Sequence, residues 1–318
     1  MNEPQTPEYG TFKAKRQFWI DCLSGKDPHA ISRQLTAMTW DAAAYRVVNE
    51  ARRLSPPAED GGVELNGLMH RLIDKCFFES QMLAIRRLMD TYPVHGKRSV
   101  YSLTALLKDM EKNTTRMTRP HIFAAEGLAY DDKAVYDDLQ QCRAERTMGG
   151  EKCWVEPNVL AWGQSARRHE QIDRLAGTSE QSRSLGDCVS SDVFVRLQKK
   201  LGDATSEVKK CVDKFVAHAA TLESRSYARM QDIGLTLNHL WEAHKSLCQV
   251  THFVNVVLLG DSMGPPLPTP QYDRFAYIDR PLVTTEKVAF LEKEWQKYSE
   301  ETQQWTNWGL DAFEAECQ

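Results

Sequence analysis

The chain has 318 residues, with 40 Lys and Arg against 44 Asp and Glu, a formal net charge of −4 at pH 7 and 42% hydrophobic residues. This composition excludes a chain that is disordered throughout, and the length suffices for one large domain or two. The acidic balance excludes a surface coated with basic charge for bulk nucleic-acid binding, although it leaves room for a local basic patch.

No apolar run approaches the roughly 18 residues of a membrane-spanning helix, and the polar, acidic start of the chain is unlike a signal peptide. The eight cysteines are scattered, and none forms a C-x-x-C pair, which is typical of reduced thiols. We therefore expect a cytoplasmic protein that has no membrane partner.

The first regular pattern begins at Asp27-Pro28, where Asp is suited to cap a helix and Pro fits its first turn. Apolar residues then step by three and four, which predicts one buried face. A second stripe runs from Leu65 to Arg87, after a linker rich in Pro and Gly at residues 55–62. Two helices joined in this way favour an antiparallel pair.

Residues 119–188 are rich in charge and poor in apolar periodicity, so they predict short helices outside the core or a mobile, polar insertion. Two amphipathic helices follow, over about 191–219 and 235–259. A Pro-rich connector then leads to a last helix with an apolar stripe from Val288 to Trp305. Its Pro265-x-x-Pro268 can either present a partner motif or form a strap over the bundle.

No run of alternating β-type residues and no internal repeat occurs, so the predicted fold class is all-α. We expect an antiparallel helical bundle with a polar helical insertion and a Pro-rich connector to a C-terminal helix. The predicted organisation is an N-terminal segment at 1–27, a bundle at 28–260 that carries the insertion, and the connector with its helix at 261–318.

Glycine-rich phosphate loops, the H-E-x-x-H zinc motif and the G-x-S-x-G elbow are all absent from the sequence, and no cofactor is predicted. His244, Cys248 and His252 lie at i, i+4 and i+8 on one helix, which is metal-ligand spacing in principle. A buried His with one hydrogen-bond partner and a buried Cys explain the same residues without metal. No metal site is predicted, but a metal-binding helical enzyme stays open as an alternative.

The end of the helix over 191–219 gathers the strongest candidate chemistry. His218 follows Asp213 and Lys214, and a His there can move a proton near neutral pH. The same polar face contributes candidate phosphate or RNA contacts, which are Lys199, Lys200 and Lys210. The alternative is a surface His beside lysines at a helix C-terminus, where cations suit the helix dipole.

A third candidate is Arg87, which falls on the extension of the apolar stripe that begins at Leu65. A charge there must find a partner, because an unpaired buried charge is costly. Arg87 is therefore expected either to form a structural ion pair, with Asp90 as its local partner, or to belong to an anion site.

Three phrases in this order resemble one family. They are Arg87-Leu88-Met89-Asp90 at a helix end, Tyr101-Ser102-Leu103 opening the next helix, and Val212-Asp213-Lys214-Phe215-Val216-Ala217-His218. The order resembles the AbiU-like, abortive-infection branch of the HEPN superfamily, over roughly residues 28–260. The resemblance implies a helical bundle that is often a homodimer, and many members are metal-independent ribonucleases.

In that scheme His218 corresponds to the His of the R-x(4–6)-H motif, and Asp213 to the polar residue after the motif's Arg. Arg87 and Asp90 correspond to the earlier R-L-x-D pair. The sequence departs from the pattern at the motif's Arg, which is Val212 here and cannot stabilise a phosphate.

Two further hypotheses about the function stand beside the metal-binding alternative. The first is an RNA-binding or RNA-cleaving effector of a phage-defence or toxin–antitoxin system, with an antitoxin or another protein as partner. The second is a non-catalytic helical scaffold or interaction protein of the same fold, which Val212 and the acidic net charge favour.

Overall fold

The computed structural model describes residues 7–57, 66–148, 157–216, 235–276, 278–280 and 285–305. Over these residues the chain is predominantly helical, and an isolated bridge joins Thr118 and Cys188. The predicted all-α fold class is confirmed. No helix in these ranges is long and apolar enough to span a membrane.

Ten α-helices lie in the described ranges, and short 3-10 or π-helical segments extend or separate them. In chain order they are α1 (Pro7–Ser24), α2 (Ile31–Leu54), α3 (Gly67–Leu88), α4 (Leu103–Glu111), α5 (Arg119–Glu126), α6 (Asp132–Met148), α7 (Pro157–Ala176), α8 (Ser191–Cys211), α9 (Leu237–His252) and α10 (Val288–Trp305). The π-helical segments Val212–Val216 and Phe253–Leu258 continue α8 and α9.

Chain folding divides the molecule into a unit at 1–268 and a unit at 269–318. The first unit contains α1 to α9 and the main apolar core. The second unit contains α10, and the described part of that helix exposes large apolar side chains such as Phe290 and Trp295.

The helices α8 and α9 pair along their length, and their predicted apolar faces are confirmed where the structure describes them. The buried residues of these faces are Phe194, Leu201, Val208, Val212, Leu240, Leu247, Val254 and Leu258. Burying such side chains contributes about 1.5–3 kcal/mol each, so this pairing is a main source of stability.

The predicted antiparallel arrangement of α2 and α3 is visible in their cross-contacts. The Gln81 side-chain amide donates to the Met38 carbonyl at 3.1 Å, and the Tyr45 hydroxyl donates to Asp74 at 2.9 Å. Arg52 reaches the same Asp74 carboxylate at 2.8 Å. Partner numbers on α3 fall as those on α2 rise, which only antiparallel helices allow.

The helix α1 contributes directly to the core, although the sequence analysis assigned no element to residues 1–27. Phe12, Trp19 and Leu23 are buried in the main apolar cluster. The Trp19 indole N–H donates to Asp109 at 2.7 Å, and Lys15 pairs with the same carboxylate at 2.9 Å. These residues recur at intervals of seven and four, which is helical spacing, but the apolar Phe18 and Ile20 on other faces of α1 weaken the stripe.

The expectation that residues 119–188 lie outside the core is wrong for α5 and α7. Ile122 and Phe123 of α5 and Ile172 of α7 are buried in the main apolar cluster. Each of these helices contributes only a few apolar residues, and several of their charged residues are buried as ion pairs. The sequence signal of a buried face is therefore weak here. The charge-rich α6 does expose the side chains that the structure describes, including Tyr136.

A buried ion-pair network holds this region together. The Arg119 side chain is fully buried, and its Nη2 donates to Asp173 and to Asp187 at 2.7 Å each. Its Nη1 lies 3.1 Å from the His169 ring, and Arg183 holds the other side of the Asp173 carboxylate. These contacts join α5, α7 and the segment that leads into α8.

Arginine side chains also cap the π-helical end of α9. Arg16 of α1 donates to the Leu259 carbonyl, and Arg168 of α7 donates to the Val257 carbonyl at 2.6 Å. The Glu126 carboxylate of α5 pairs with Arg168. Helix C-termini leave carbonyls without intrahelical partners, so these guanidinium groups satisfy acceptors that would otherwise be lost.

We expect Arg119→Met to lower the free energy of unfolding by about 3–5 kcal/mol, because it leaves the buried Asp187 without its cation and Asp173 with Arg183 alone. Arg116→Met is the matched control, since Arg116 is exposed and bonds only locally to Asn113 at 3.1 Å. Its effect should stay within about 0.5 kcal/mol. Urea unfolding measures both, and equal losses in the two variants would contradict the role of the network.

The same network predicts how stability depends on acid. Burial disfavours ionisation of Asp173, but hydrogen bonds from Arg183 and Arg119 outweigh it and lower its pKa. Asp187 also has a lowered pKa, because hydrogen bonds from Ser184 and Arg119 outweigh its burial. The unfolded chain therefore takes up protons first, and the unfolding free energy should fall below about pH 4. Urea unfolding at a series of pH values should show a smaller fall in Arg119→Met.

Candidate functional site

The first and the last of the three sequence phrases that carry the family resemblance meet in space. Arg86, in the last turns of α3, donates from Nε to the Asp213 carboxylate at 3.0 Å. Its Nη1 lies 3.4 Å from the carboxylate of Asp90, one turn further on. Asp213 is the second residue of the π-helical segment that follows α8. The end of α3 and the end of α8 are thus joined by one guanidinium.

The expected burial of Arg87 and its ion pair with Asp90 are wrong, because Arg87 is exposed and its neighbour Arg86 forms the ion pairs. The expected place of Arg87 in an anion site stays a prediction. The helix α3 buries a different face from the predicted one, with Phe77, Gln81, Ile85 and Leu88 inside. Residues of the predicted stripe, such as Leu72, are exposed instead. Two sets of apolar residues lie on different faces of α3. The stacking of Phe77 on Tyr45 of α2, with ring centroids 3.8 Å apart, selects the face that is buried.

The Arg86 cluster is open to solvent on one side. The side chains of Arg86, Asp213 and Asp90 are 32%, 41% and 23% exposed. The hydrogen bond with Asp213 raises the pKa of Arg86, so the guanidinium stays charged at all relevant pH values. Two of its five N–H groups serve these carboxylates, which leaves others able to contact an incoming anion.

The cluster has a negative balance of its own, with two carboxylates around one cation. Asp90 is fixed further, because its carboxylate accepts the Tyr92 backbone N–H at 3.0 Å. An anionic substrate must therefore approach the guanidinium from the side that faces away from Asp90 and Asp213. Positive charge on the residues that follow Asp213 in the sequence would assist that approach.

The structure describes the residues that follow Asp213 only in part. Lys214 lies in the π-helical segment, but its side chain is not among those described, and His218 lies outside the described residues. Val212 is fully buried, in agreement with its place on the apolar face of its helix. An aliphatic side chain in the core cannot contact a phosphate, so no group at position 212 serves the site.

The candidate phosphate-contacting lysines lie along α8. Lys199 and Lys200 are exposed and line an open cavity of about 510 Å³ with Arg196 and two acidic residues, Asp203 and Glu242. They precede Asp213 by thirteen or fourteen residues, which corresponds to about 20 Å along a helix. They can therefore contact only a substrate that extends several nucleotides from Arg86.

Lys210 is nearer to the Arg86 cluster along the sequence, but it is occupied. Its Nζ pairs with Glu207 at 2.7 Å, one turn earlier on the same helix. Exposed pairs at this spacing are weak, about 0.3–0.5 kcal/mol, so a phosphate can compete for the lysine.

The metal-ligand candidates on α9 separate in the structure. His244 is buried and lies 3.0 Å from the Thr39 hydroxyl of α2, whereas His252 is exposed. Burial raises the pKa of the Cys248 thiol to about 11, so it is protonated at neutral pH. The described part of the chain contains no group of three His, Cys, Asp or Glu side chains that can hold a metal ion.

His244 and Cys248 instead line a cavity of about 770 Å³ between α2 and α9. Arg46 of α2 stacks over the Trp241 ring at its edge, with 4.7 Å from the guanidinium carbon to the ring centroid. Sequence reasoning missed this cavity, because its walls come from helices about 200 residues apart. The one local signal was the row of small residues at Ala42 and Ala43 of α2.

Comparisons of the chain with protein-family models, with curated proteins and with solved structures give no match. The likeness to the HEPN superfamily therefore depends on the sequence phrases quoted above. Arg86 is the residue that the phrases did not indicate, since their Arg is the neighbouring Arg87.

His244 predicts a stability loss in mild acid. Burial and the nearby Arg46 lower its pKa, so the unfolded chain binds a proton at a pH where the folded chain does not. The unfolding free energy should therefore fall as pH drops below about 6.5, and this fall should stop below the folded-state pKa. The variant His244→Gln should lack this fall in urea unfolding.

The control for this experiment is His252→Gln, an exposed position on the same helix. It should keep the wild-type dependence of stability on pH. A dependence that both variants retain would assign the effect to other groups.

Proposed function

We propose that this protein is an RNA-binding effector that cleaves RNA without a metal ion, in a phage-defence or toxin–antitoxin setting. The site comprises Arg86, Asp213 and His218. A homodimer that places two such sites together, and an antitoxin or other protein that restrains them, belong to the same proposal.

The observation that supports it is the hydrogen bond from Arg86 to Asp213 at 3.0 Å. It brings a guanidinium from α3 to Asp213, which precedes His218 by five residues in the sequence. The position of the missing motif Arg is only one residue from Asp213. Arg86 therefore supplies from α3 the planar, two-pronged cation that Val212 cannot.

The chemistry needs one proton carrier and one anion-stabilising group. His218 removes the proton from a ribose 2′-hydroxyl, whose oxygen then attacks the adjacent phosphorus. The bond to the 5′-oxygen of the next nucleotide breaks, a proton returns to that oxygen, and a 2′,3′-cyclic phosphate remains. The free N–H groups of Arg86 stabilise the charge that develops on the phosphate.

The test is cleavage of a panel of unstructured and structured RNAs in the presence of a chelator. His218→Ala should abolish cleavage, and Arg86→Gln should slow it about 100-fold, because one preorganised donor group to the developing charge is lost. Arg86→Lys should recover part of the rate, since it restores charge without the fork geometry.

Arg87→Gln is the matched control, because it removes an exposed guanidinium at the adjacent position. It should keep the wild-type rate. Urea unfolding of all four variants separates a lost site from a lost fold. Absence of cleavage by the wild type across the panel, or equal rates for Arg86→Gln and Arg87→Gln, would overturn the proposed activity.

A second candidate function is a non-catalytic helical scaffold or interaction protein. The negative balance around Arg86 favours it, because two carboxylates already satisfy the guanidinium. In that case Arg86 only clamps α3 to the end of α8. A stability loss in Arg86→Gln with RNA binding unchanged supports this role and opposes the first.

A further inference from the structure

We propose that the cavity between α2 and α9 is a binding site for a small amphipathic anion, with an apolar body and a single carboxylate or phosphate group. The site is separate from Arg86 and Asp213 and does not depend on the function proposed above. Its walls, its charges and one imidazole nitrogen each select a feature of this ligand.

The shape of the cavity suits an apolar body of moderate size. Its volume of about 770 Å³ falls within the range of about 300–1,000 Å³ that small-molecule sites occupy. Ala42 and Ala43 leave the space open on the side of α2, and Trp241 forms part of the opposite wall. Pro266 and Leu267 also line the cavity, which is open to solvent.

Arg46 supplies a fixed positive charge at the cavity. The stacking of its guanidinium over Trp241, at 4.7 Å, restrains its orientation without using its N–H groups. The described residues give Arg46 no carboxylate partner. An oriented guanidinium with its donors free is the usual means of binding a carboxylate or a phosphate.

The remaining charges leave the site with a net charge of about +1. Lys245 pairs with Glu242 at 3.3 Å, one turn apart on α9, and both side chains are largely exposed. Such a pair contributes little stability and can rearrange around a ligand. Arg46 is therefore the unbalanced charge, and the cavity favours an anion over a neutral or cationic ligand.

His244 adds one hydrogen-bond acceptor. The Thr39 hydroxyl lies 2.8 Å from the Leu35 carbonyl and 3.0 Å from His244 Nε2. When the hydroxyl donates to the carbonyl, it accepts from an Nε2–H of His244. Burial keeps this ring neutral by lowering its pKa, which leaves Nδ1 as an acceptor. Nδ1 has no hydrogen-bond partner among the described residues, and the residue lines the cavity. A ligand with an O–H or N–H near its anionic group satisfies this nitrogen.

Binding at this site is non-covalent. The Cys248 thiol also lines the cavity, but burial raises its pKa to about 11, so the nucleophilic thiolate is scarce at neutral pH. Alkylation of Cys248 by iodoacetamide at alkaline pH, where more thiolate forms, followed by peptide mass spectrometry, therefore reports occupancy of the cavity rather than a reaction of the ligand.

The experiment is isothermal titration calorimetry of the full chain with four probes of equal chain length. Decanoate and decyl phosphate carry the two candidate anionic groups, and decanol and decyltrimethylammonium are the neutral and cationic controls. We expect saturable binding of at least one anion, with a Kd below about 1 mM, and weaker or no binding of the two controls. The ratio of the two anion affinities distinguishes a carboxylate site from a phosphate site.

Two variants test the location. Arg46→Met should weaken anion binding about tenfold or more and leave decanol unaffected, because a charge-assisted hydrogen bond is lost. Ala43→Leu should weaken all probes by filling the cavity. The matched control is Arg53→Met, an exposed arginine of α2 outside the cavity that pairs with Glu50.

Bound anion should also slow alkylation of Cys248 and leave that of the exposed Cys76 unchanged. The proposal is overturned if none of the probes binds below about 1 mM. It is also overturned if the cation binds as tightly as the anions, or if Arg46→Met and Arg53→Met behave alike.

Discussion

The burial of one guanidinium, that of Arg119, constrains how the helices of the first structural unit pack. A charge as deeply buried as that of Arg119 is tolerated only where carboxylates and hydrogen-bond acceptors surround it, since the desolvation cost is several kcal/mol per ion. Asp173 comes from α7, and Asp187 lies four residues before α8 begins. Satisfying Arg119 therefore positions the start of α8 against α5 and α7. The axis of α8 in turn determines where Asp213 meets Arg86, so the candidate site depends on ion pairs remote from it.

Periodicity alone predicts the elements that have one dominant apolar face. The helices α2, α8 and α9 bury the predicted residues, because each has a single continuous stripe. In α3 the sequence offers two stripes, and Phe77 decides between them by stacking on Tyr45 of α2 at 3.8 Å. That contact joins residues 32 positions apart, and no local pattern contains it. The choice of the wrong face placed Arg87 inside and left Arg86 without a role.

Charge-rich stretches set a different limit. The partners of Arg119 lie 54 and 68 residues further along the chain. The sequence therefore shows isolated charges, whereas the fold joins them in one ion-pair network. The candidate site was also predictable only in part. The sequence indicated Asp213 and Asp90, and the fold places both around the guanidinium of Arg86, the neighbour of the predicted Arg87. The cavity between α2 and α9 had almost no linear signal, because its polar groups acquire their properties only through burial and through Thr39.

The capping of Leu259 by Arg16 has a consequence for synthesis on the ribosome. The helix α1 leaves the exit tunnel before the helices that it packs against, and the carbonyl that Arg16 satisfies is made 243 residues later. At about 5–20 residues per second, that interval is roughly ten to fifty seconds. Throughout it, Phe12, Trp19 and Leu23 lack part of the core that covers them in the finished fold. Nascent chains of this protein therefore carry a partly uncovered apolar helix until α9 and its end have been made, and such exposed apolar surface is what chaperones protect.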